Sequence, residues 1–217
     1  MGAQQSLTDM EQRFARLWQR LLPPATRSDY KTPWRDLEEG YCEAWRQYHN
    51  GSHLAFCMRE FDEVRPHLNH PDEVEMALWF HDAVIDPEGL DNEARSAQLY
   101  MKHAGGLFPE SFNSNVCKLI LATTHDANQQ DDVGFLCDID LASLGLSWDY
   151  FLDDGIRLKA ESPKPRHEYA ADKLRFFQGL LQREHIYMTG YFRQRYENSA
   201  RDNIQRMMAL LETSLYC

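Results

Sequence analysis

The stretch that most restricts the fold of this chain is the hydrophobic run from Ala77 to Asp86. It belongs to a predicted helix whose inward stripe includes Val74, Leu78 and Ile85, at the spacing typical of a helix packed into a core. The adjacent His81 and Asp82 fall on the same apolar stripe. Because burial of an ionised carboxylate without a partner costs several kcal/mol, Asp82 is predicted to be exposed, hydrogen-bonded or bound to a cation.

Helical spacing continues through most of the chain, and no segment has the convincing two-residue alternation of a half-buried strand. Prolines, glycines and capping residues divide the pattern into successive helices. We therefore expect an all-α fold. The predicted helices cover residues 8–22, 32–49, 54–65, 71–85, 91–101, 114–125, 133–144, 148–159, 166–182 and 191–215.

Length and composition indicate one globular domain, because 217 residues of which 43% are hydrophobic can bury a continuous core. We divide it into an N-terminal helix and linker, residues 1–30, and the domain proper, residues 31–217. The five cysteines form no C-x-x-C pair, which argues against a disulfide framework. No apolar run approaches the ~18 residues of a membrane span. We expect a soluble, unprocessed, cytoplasmic protein without a membrane partner.

The formal net charge of −11 disfavours a nucleic-acid polymer as a partner, because such binders neutralise phosphates with clustered Lys and Arg. An acidic protein can still act on a small anion if a metal ion and a few local cations reverse the potential inside one cleft. The charge therefore leaves a small phosphorylated substrate open.

Four residues on three predicted helices, or at the start of one, combine imidazole and carboxylate groups on or beside stripes that should face the core. They are His53, His81, Asp82 and Asp140. Imidazole and carboxylate are the ligands of divalent metals such as Mn, Fe, Zn or Mg, and their convergence would relieve the cost of burying Asp82.

This pattern resembles the HD superfamily of metal-dependent phosphohydrolases, whose signature is a histidine, a His-Asp doublet and a distant aspartate. The surrounding segments, at residues 48–53, 79–86, 92–97, 138–145, 166–169 and 196–203, look like a branch of predicted HD hydrolases. The resemblance spans about residues 30 to 205. It implies an HD-domain helical bundle that holds one or two divalent ions, with Mn, Mg, Fe, Co and Zn as the candidates.

Two assignments have alternatives. His49 and His53 are four residues apart, but Gly51 weakens helical continuity between them, so we favour His53 as the ligand and place His49 near substrate, water or a second metal. Asp140 is favoured over Asp138, because it shares the apolar stripe of its helix and Asp138 does not.

A second metal site is a further possibility. His125 could complete such a site with His49 or with a bridging Asp82, and His103 is a weaker candidate. Among HD proteins that resemble this arrangement, a subset with two irons are oxygenases. The additional histidines therefore leave a di-iron oxygenase as an alternative. A non-catalytic ligand sensor that keeps the metal for stability is another.

The expected reaction is hydrolysis of a phosphate ester or anhydride, with a nucleotide as the expected substrate, by water that the metal acidifies. Some HD nucleotidases have a proton-transferring glutamate three residues after the doublet, where this chain has Ile85. Asp86 or Glu93 is predicted to take that role, and Asp82 belongs to the same catalytic set. The cations available for a substrate anion are Arg95, Lys118, Arg157, Lys159 and Arg166.

Overall fold

The computed structural model describes residues 7–24, 26–125 and 130–215, and within these ranges it contains helices and no strand. The predicted all-α class is therefore confirmed. The helices are α1 (Leu7–Leu21), α2 (Lys31–Tyr41), α3 (Gly51–Val64), α4 (Pro71–Phe80), α5 (Asn92–Ala104), α6 (Glu110–Leu121), α7 (Asp131–Asp140), α8 (Trp148–Glu161), α9 (Arg166–Gln182) and α10 (Gly190–Leu215). Short 3-10 turns follow α3, α6 and α7, at Arg65–His67, Ala122–Thr124 and Leu141–Gly145.

The helices form two compact units, residues 1–127 and residues 128–217, which we call the N-terminal and C-terminal units. The domain limits predicted from the sequence, residues 1–30 and 31–217, stay a prediction. In the part of the chain that is described, no helix is both long enough and apolar enough to cross a membrane.

Helix α4 is the centre of the N-terminal unit. It packs against α1, α3, α5 and α6, and every residue from Val74 to Phe80 is buried. The ring of Trp79 meets those of Phe14 and Trp34 edge-on, with centroids 5.5 and 6.1 Å apart. Seven consecutive buried residues cover every face of a helix, so this part of α4 is enclosed on all sides. The residues that follow α4 are consequently held deep in the unit.

Two helices are shorter than their apolar spacing predicts. The helix predicted to reach residue 49 ends at Tyr41, and the one predicted to reach residue 85 ends at Phe80. After α4, side chains bind the backbone groups that have left the helix. Arg46 donates to the carbonyls of Asp82 and Ala83, and the N–H of Val84 donates to Ser96. Because these bonds satisfy the backbone, the chain can leave the helix without unpaired buried groups.

The C-terminal unit is organised by α10, which packs along α9 and the 3-10 turn after α7. Gly145 ends that turn so close to α10 that an added Cβ would clash with Cβ of Tyr196. Asn203 donates to the carbonyls of Leu144 and Leu146, at 2.9 and 2.8 Å. These contacts fix the turn that follows Asp140.

Candidate metal centre

His53 lies in the first turn of α3. The side chain of Asn50 accepts a hydrogen bond of 2.9 Å from the N–H of Ser52 and so caps the helix, which begins at Gly51. His49 therefore precedes the helix, and the predicted break in continuity at Gly51 is confirmed. The ring of His53 is buried.

His81 lies directly after α4, and its N–H bonds to the carbonyl of Ala77. Its ring is buried, with Nδ1 2.9 Å from the carbonyl oxygen of Leu78. Because a carbonyl only accepts, Nδ1 carries the proton in this bond, and in the neutral ring Nε2 then carries the lone pair. This is the arrangement in which a backbone carbonyl orients a metal-binding imidazole.

Asp82 brings its carboxylate to both histidine rings. Its Oδ2 atom lies 3.1 Å from Nε2 of His81 and 3.5 Å from Nε2 of His53. The side chains of His53 and His81 are 3% and 0% exposed, whereas that of Asp82 is 19% exposed. Asp82 therefore provides the edge of this group that reaches solvent.

These distances fit one shared cation. Nitrogen and oxygen donors about 2.1 Å from an ion stand roughly 3.0–3.4 Å apart at octahedral or tetrahedral angles. The separation of 3.1 Å between His81 and Asp82 lies within that range, and the separation of 3.5 Å between His53 and Asp82 lies just above it. A divalent ion would also counter the charge of Asp82, which otherwise sits between two buried rings. The donor set of His53, His81 and Asp82 therefore suits a divalent metal.

Cys57 joins this group and was missed in the sequence. Its Sγ lies 3.6 Å from Nε2 of His53, and the ligand atoms of His53, Cys57 and His81 all lie within 4.8 Å of one another. Cys57 is fully buried on α3, one turn after His53. The H-x-x-x-C spacing could have revealed it, since residues four apart share a helix face. A thiolate ligand favours softer metals such as zinc.

His49 lies beside the group. Its ring centroid is 5.9 Å from that of His53, and the ring of Tyr48 contacts both, with centroids 4.9 and 4.8 Å away. The structure thus brings His49 next to His53. Its proposed place near substrate, water or a second metal stays a prediction.

The other histidines are placed differently. His125 is buried after the 3-10 turn that follows α6 and has a left-handed backbone, with φ 57°. Its part in a second metal site stays a prediction. His103 is bound elsewhere, since its Nε2 lies 2.9 Å from the carboxylate of Asp36 on α2.

The prediction that Asp138 does not face the core is wrong. Asp138 is the buried member of the pair, and its carboxylate accepts hydrogen bonds of 2.7 Å from the backbone N–H groups of Met188 and Thr189 and from the Thr189 hydroxyl. Burial nevertheless raises the pKa of Asp138 to about 6. Asp138 therefore anchors the turn before α10 within the C-terminal unit. Asp140 is less buried, and its role as a metal ligand stays a prediction.

The two predicted proton-transfer residues lie after the doublet. Asp86 organises the loop that follows Asp82: its carboxylate accepts from the N–H of Glu88 at 3.1 Å and pairs with Arg95 at 3.4 Å. Glu93 is in the first turn of α5 and is partly exposed. Their catalytic roles stay predictions.

Of the cations proposed for a substrate anion, two are engaged locally in the C-terminal unit: Arg157 pairs with Asp153, and Lys159 donates to the carbonyl of Lys164. Arg95 is the cation that the structure ties to the loop after Asp82, through its bond to Asp86. The contribution of Lys118 and Arg166 stays a prediction.

Tyr41 adds a buried phenol to this part of the unit. Burial and, to a smaller extent, the negative charge of Asp82 raise the pKa of Tyr41 well above its usual value. Its hydroxyl lies 3.3 Å from the carbonyl oxygen of Trp79, to which it donates. Tyr41 therefore remains a neutral hydrogen-bond donor at physiological pH.

The chain matches no family model, no curated protein and no solved structure. The geometry by itself supports a helical fold with a buried group of histidine and cysteine side chains that could hold a metal ion.

Proposed function

We propose that this protein is a metal-dependent phosphohydrolase of the HD type that cleaves a phosphate ester or anhydride in a small molecule, with nucleotides as the substrate class. The observation that carries the proposal is the convergence of two imidazole nitrogens and one carboxylate oxygen at 3.1 and 3.5 Å. The resemblance of the sequence motifs to HD hydrolases supports the same assignment.

In this proposal His53, His81 and Asp82 hold the ion, and Asp140 is the further ligand that the sequence suggests. A divalent ion bound there supplies a Lewis acid for phosphoryl oxygens and acidifies water toward neutrality. The Leu78 carbonyl keeps the proton of His81 on Nδ1, so Nε2 stays available as a donor. A reducing cytoplasm would keep Cys57 out of a disulfide and available as a ligand.

Substrate would reach the ion from the side of Asp82, because the side chain of Asp82 is more exposed than those of the two histidines. Asp86 and Glu93 are the proposed proton carriers for the leaving oxygen. Asp86 is the better placed for exchange with solvent, since its side chain is 48% exposed. Arg95, which pairs with Asp86, is the proposed contact for a phosphate oxygen.

Two other functions have observations in their favour. The contact between His49 and His53 favours a second ion, and so a di-iron oxygenase. The near-complete burial of His53 and His81 favours a metal held for stability, as in a non-catalytic ligand sensor. The oxygenase predicts bound iron and dioxygen consumption, and the sensor predicts metal binding without turnover.

The test combines metal analysis of the purified protein with phosphate release from nucleotides and phosphate esters in the presence of Mn, Mg, Fe, Co or Zn. Asp82→Asn should lower metal-dependent release at least ~100-fold, because it removes one ligand charge. Asp36→Asn is the matched control: Asp36 and Asp82 are 18% and 19% exposed, and each lies within about 3 Å of a histidine.

Asp36→Asn should keep wild-type activity, since Asp36 pairs with Lys102 and His103 and with none of the proposed metal ligands. Equal activity of the wild-type protein and Asp82→Asn would refute the site. Metal binding without release from any phosphorylated compound would refute the hydrolase and favour the sensor.

A further inference from the structure

Arg46 is a buried arginine between α2 and α3 whose side chain is 1% exposed. Its Nη1 donates to the carbonyl of Asp82 at 2.6 Å and to that of His49 at 3.3 Å, and its Nη2 donates to the carbonyl of Ala83 at 3.1 Å. Its Nε donates to the carboxylate of Glu43 at 2.8 Å. One guanidinium thus makes four hydrogen bonds, three of them to backbone carbonyls.

The three carbonyls belong to the two segments that carry the metal-binding side chains. His49 precedes α3 and is four residues before His53, while Asp82 and Ala83 directly follow His81. The guanidinium joins these segments across 36 residues of sequence. Their separation determines how far Nε2 of His53 lies from the carboxylate of Asp82.

The surroundings hold Arg46 in place. The rings of Tyr41 and Trp45 lie 5.7 and 5.6 Å from its guanidinium carbon, within cation–π range. The end of α2 also closes on the same loop, because a Cβ added to Gly40 would lie 2.6 Å from the carbonyl oxygen of Ala83. The guanidinium is therefore enclosed by rings, carbonyls and one carboxylate.

Burial of a guanidinium costs several kcal/mol unless its donors are satisfied. If Arg46 served only to pair with Glu43, its guanidinium would not need to point toward the loop after α4. The bonds to Asp82 and Ala83 give the charge a second use, because they replace the helical hydrogen bonds that those carbonyls would otherwise accept.

We propose that Arg46 is a positioning residue for the metal centre: by binding the carbonyls of His49, Asp82 and Ala83, it sets the spacing between His53 and the His81-Asp82 pair. This rests on the metal site of the proposed function and acts through the backbone, without contact to the ion. Lysine cannot substitute, since its single ammonium lacks the planar fork that reaches several carbonyls in fixed directions.

The experiment compares Arg46→Lys with Arg13→Lys by calorimetric titration of metal-free protein with Mn²⁺ and Zn²⁺. Arg13 is a matched control in the same unit: its side chain is 13% exposed and binds the carboxylates of Asp62 and Glu75. Both substitutions should lower the melting temperature. Only Arg46→Lys should weaken metal binding, by about 10- to 100-fold, the usual effect of losing a group that orients metal ligands.

Circular dichroism below the melting transition establishes that the titrated proteins are folded. If Arg46→Lys does not fold, Arg46→Gln takes its place with the same expectation, because glutamine leaves no buried charge. Unchanged metal affinity in a folded Arg46 variant, an equal loss in Arg13→Lys, or failure of both Arg46 variants to fold overturns the proposal.

The proposed function fails separately. Wild-type protein that binds metal but releases no phosphate refutes the hydrolase, and the comparison of affinities still decides the role of Arg46. Wild-type protein that binds neither Mn²⁺ nor Zn²⁺ overturns both proposals.

Discussion

The Oδ2 atom of Asp82 lies 3.1 Å from Nε2 of His81, whose other ring nitrogen donates to the carbonyl of Leu78. In the neutral histidine this arrangement sets a lone pair against a carboxylate oxygen. Either a second proton on the ring or a shared cation relieves the repulsion. A cation does so while using both groups as ligands, which is the basis for the metal-binding predictions.

Metal should stabilise the protein measurably. An ion that binds only the folded state and is present at 100 times its Kd adds about 2.7 kcal/mol to the free energy of unfolding. For a chain of this length that corresponds to a rise of roughly 5–10 °C in melting temperature. Calorimetry of chelator-treated protein, before and after addition of Mn²⁺ or Zn²⁺, measures the shift.

His81→Gln should abolish that shift, because it removes the Nε2 donor. His67→Gln, a change at an exposed histidine in the 3-10 turn after α3, should retain it. A shift of the same size in both variants would mean that the ion binds elsewhere.

Cys57 should influence which metal is held. Because a thiolate favours zinc over manganese, Cys57→Ser should weaken Zn²⁺ binding by about 10-fold or more and Mn²⁺ binding by no more than about twofold. Cys137→Ser is the matched control, since Cys137 is also fully buried. Burial raises the pKa of Cys137 to about 12, so this thiol stays protonated.

Competitive titration with a coloured zinc chelator gives the Zn²⁺ affinity, and calorimetry gives that for Mn²⁺. If Cys57→Ser weakens the two metals equally, Cys57 shapes the site by packing and is not a ligand.

Sequence patterns predicted the fold class and most helices, because apolar spacing and capping residues are local signals. They also selected His53, His81 and Asp82, which the structure brings together. The lengths of α2 and α4 could not be predicted in this way. After α4, side-chain bonds from Arg46 and Ser96 replace helical ones, and such bonds join residues far apart in sequence.

The same limitation explains the error at Asp138. Its position relative to an apolar stripe indicated exposure. In the structure its buried carboxylate accepts hydrogen bonds from the backbone N–H groups of Met188 and Thr189, some 50 residues later. Cys57 was missed for another reason, since a cysteine in an apolar stripe has the pattern of an ordinary core residue.

Gly40→Ala should destabilise the protein by about 1–3 kcal/mol, because the new Cβ would meet a backbone oxygen that cannot move aside easily. This Cβ would lie 2.6 Å from the carbonyl oxygen of Ala83. Urea denaturation measures the loss. Gly179→Ala is the control: its Cβ would have no neighbour within 4 Å, and in α9 it should stabilise by about 0.5–1 kcal/mol. The close approach of α2 to this loop would be refuted if Gly40→Ala stabilised the protein and Gly179→Ala destabilised it by similar amounts.

Lys173 should make the stability of the protein depend on pH in the alkaline range. Its ammonium lies 5.1 and 5.7 Å from the ring centroids of Phe176 and Phe177. Burial lowers the pKa of Lys173 to about 8, against a weaker opposing effect of Glu161. The unfolded chain has its ordinary lysine pKa, about 10.4. Between these two values the unfolded state binds the proton and the folded state does not, so stability rises with pH.

Lys173→Met removes this titration, and the difference in the free energy of unfolding between wild type and Lys173→Met reports it. From pH 7.5 to pH 10.5 the wild-type protein should gain on the order of 1–3 kcal/mol relative to the variant. Lys31→Met, at an exposed lysine, is the control and should run parallel to wild type. A constant difference between wild type and Lys173→Met over this range would show that the ammonium of Lys173 is hydrated in the folded protein.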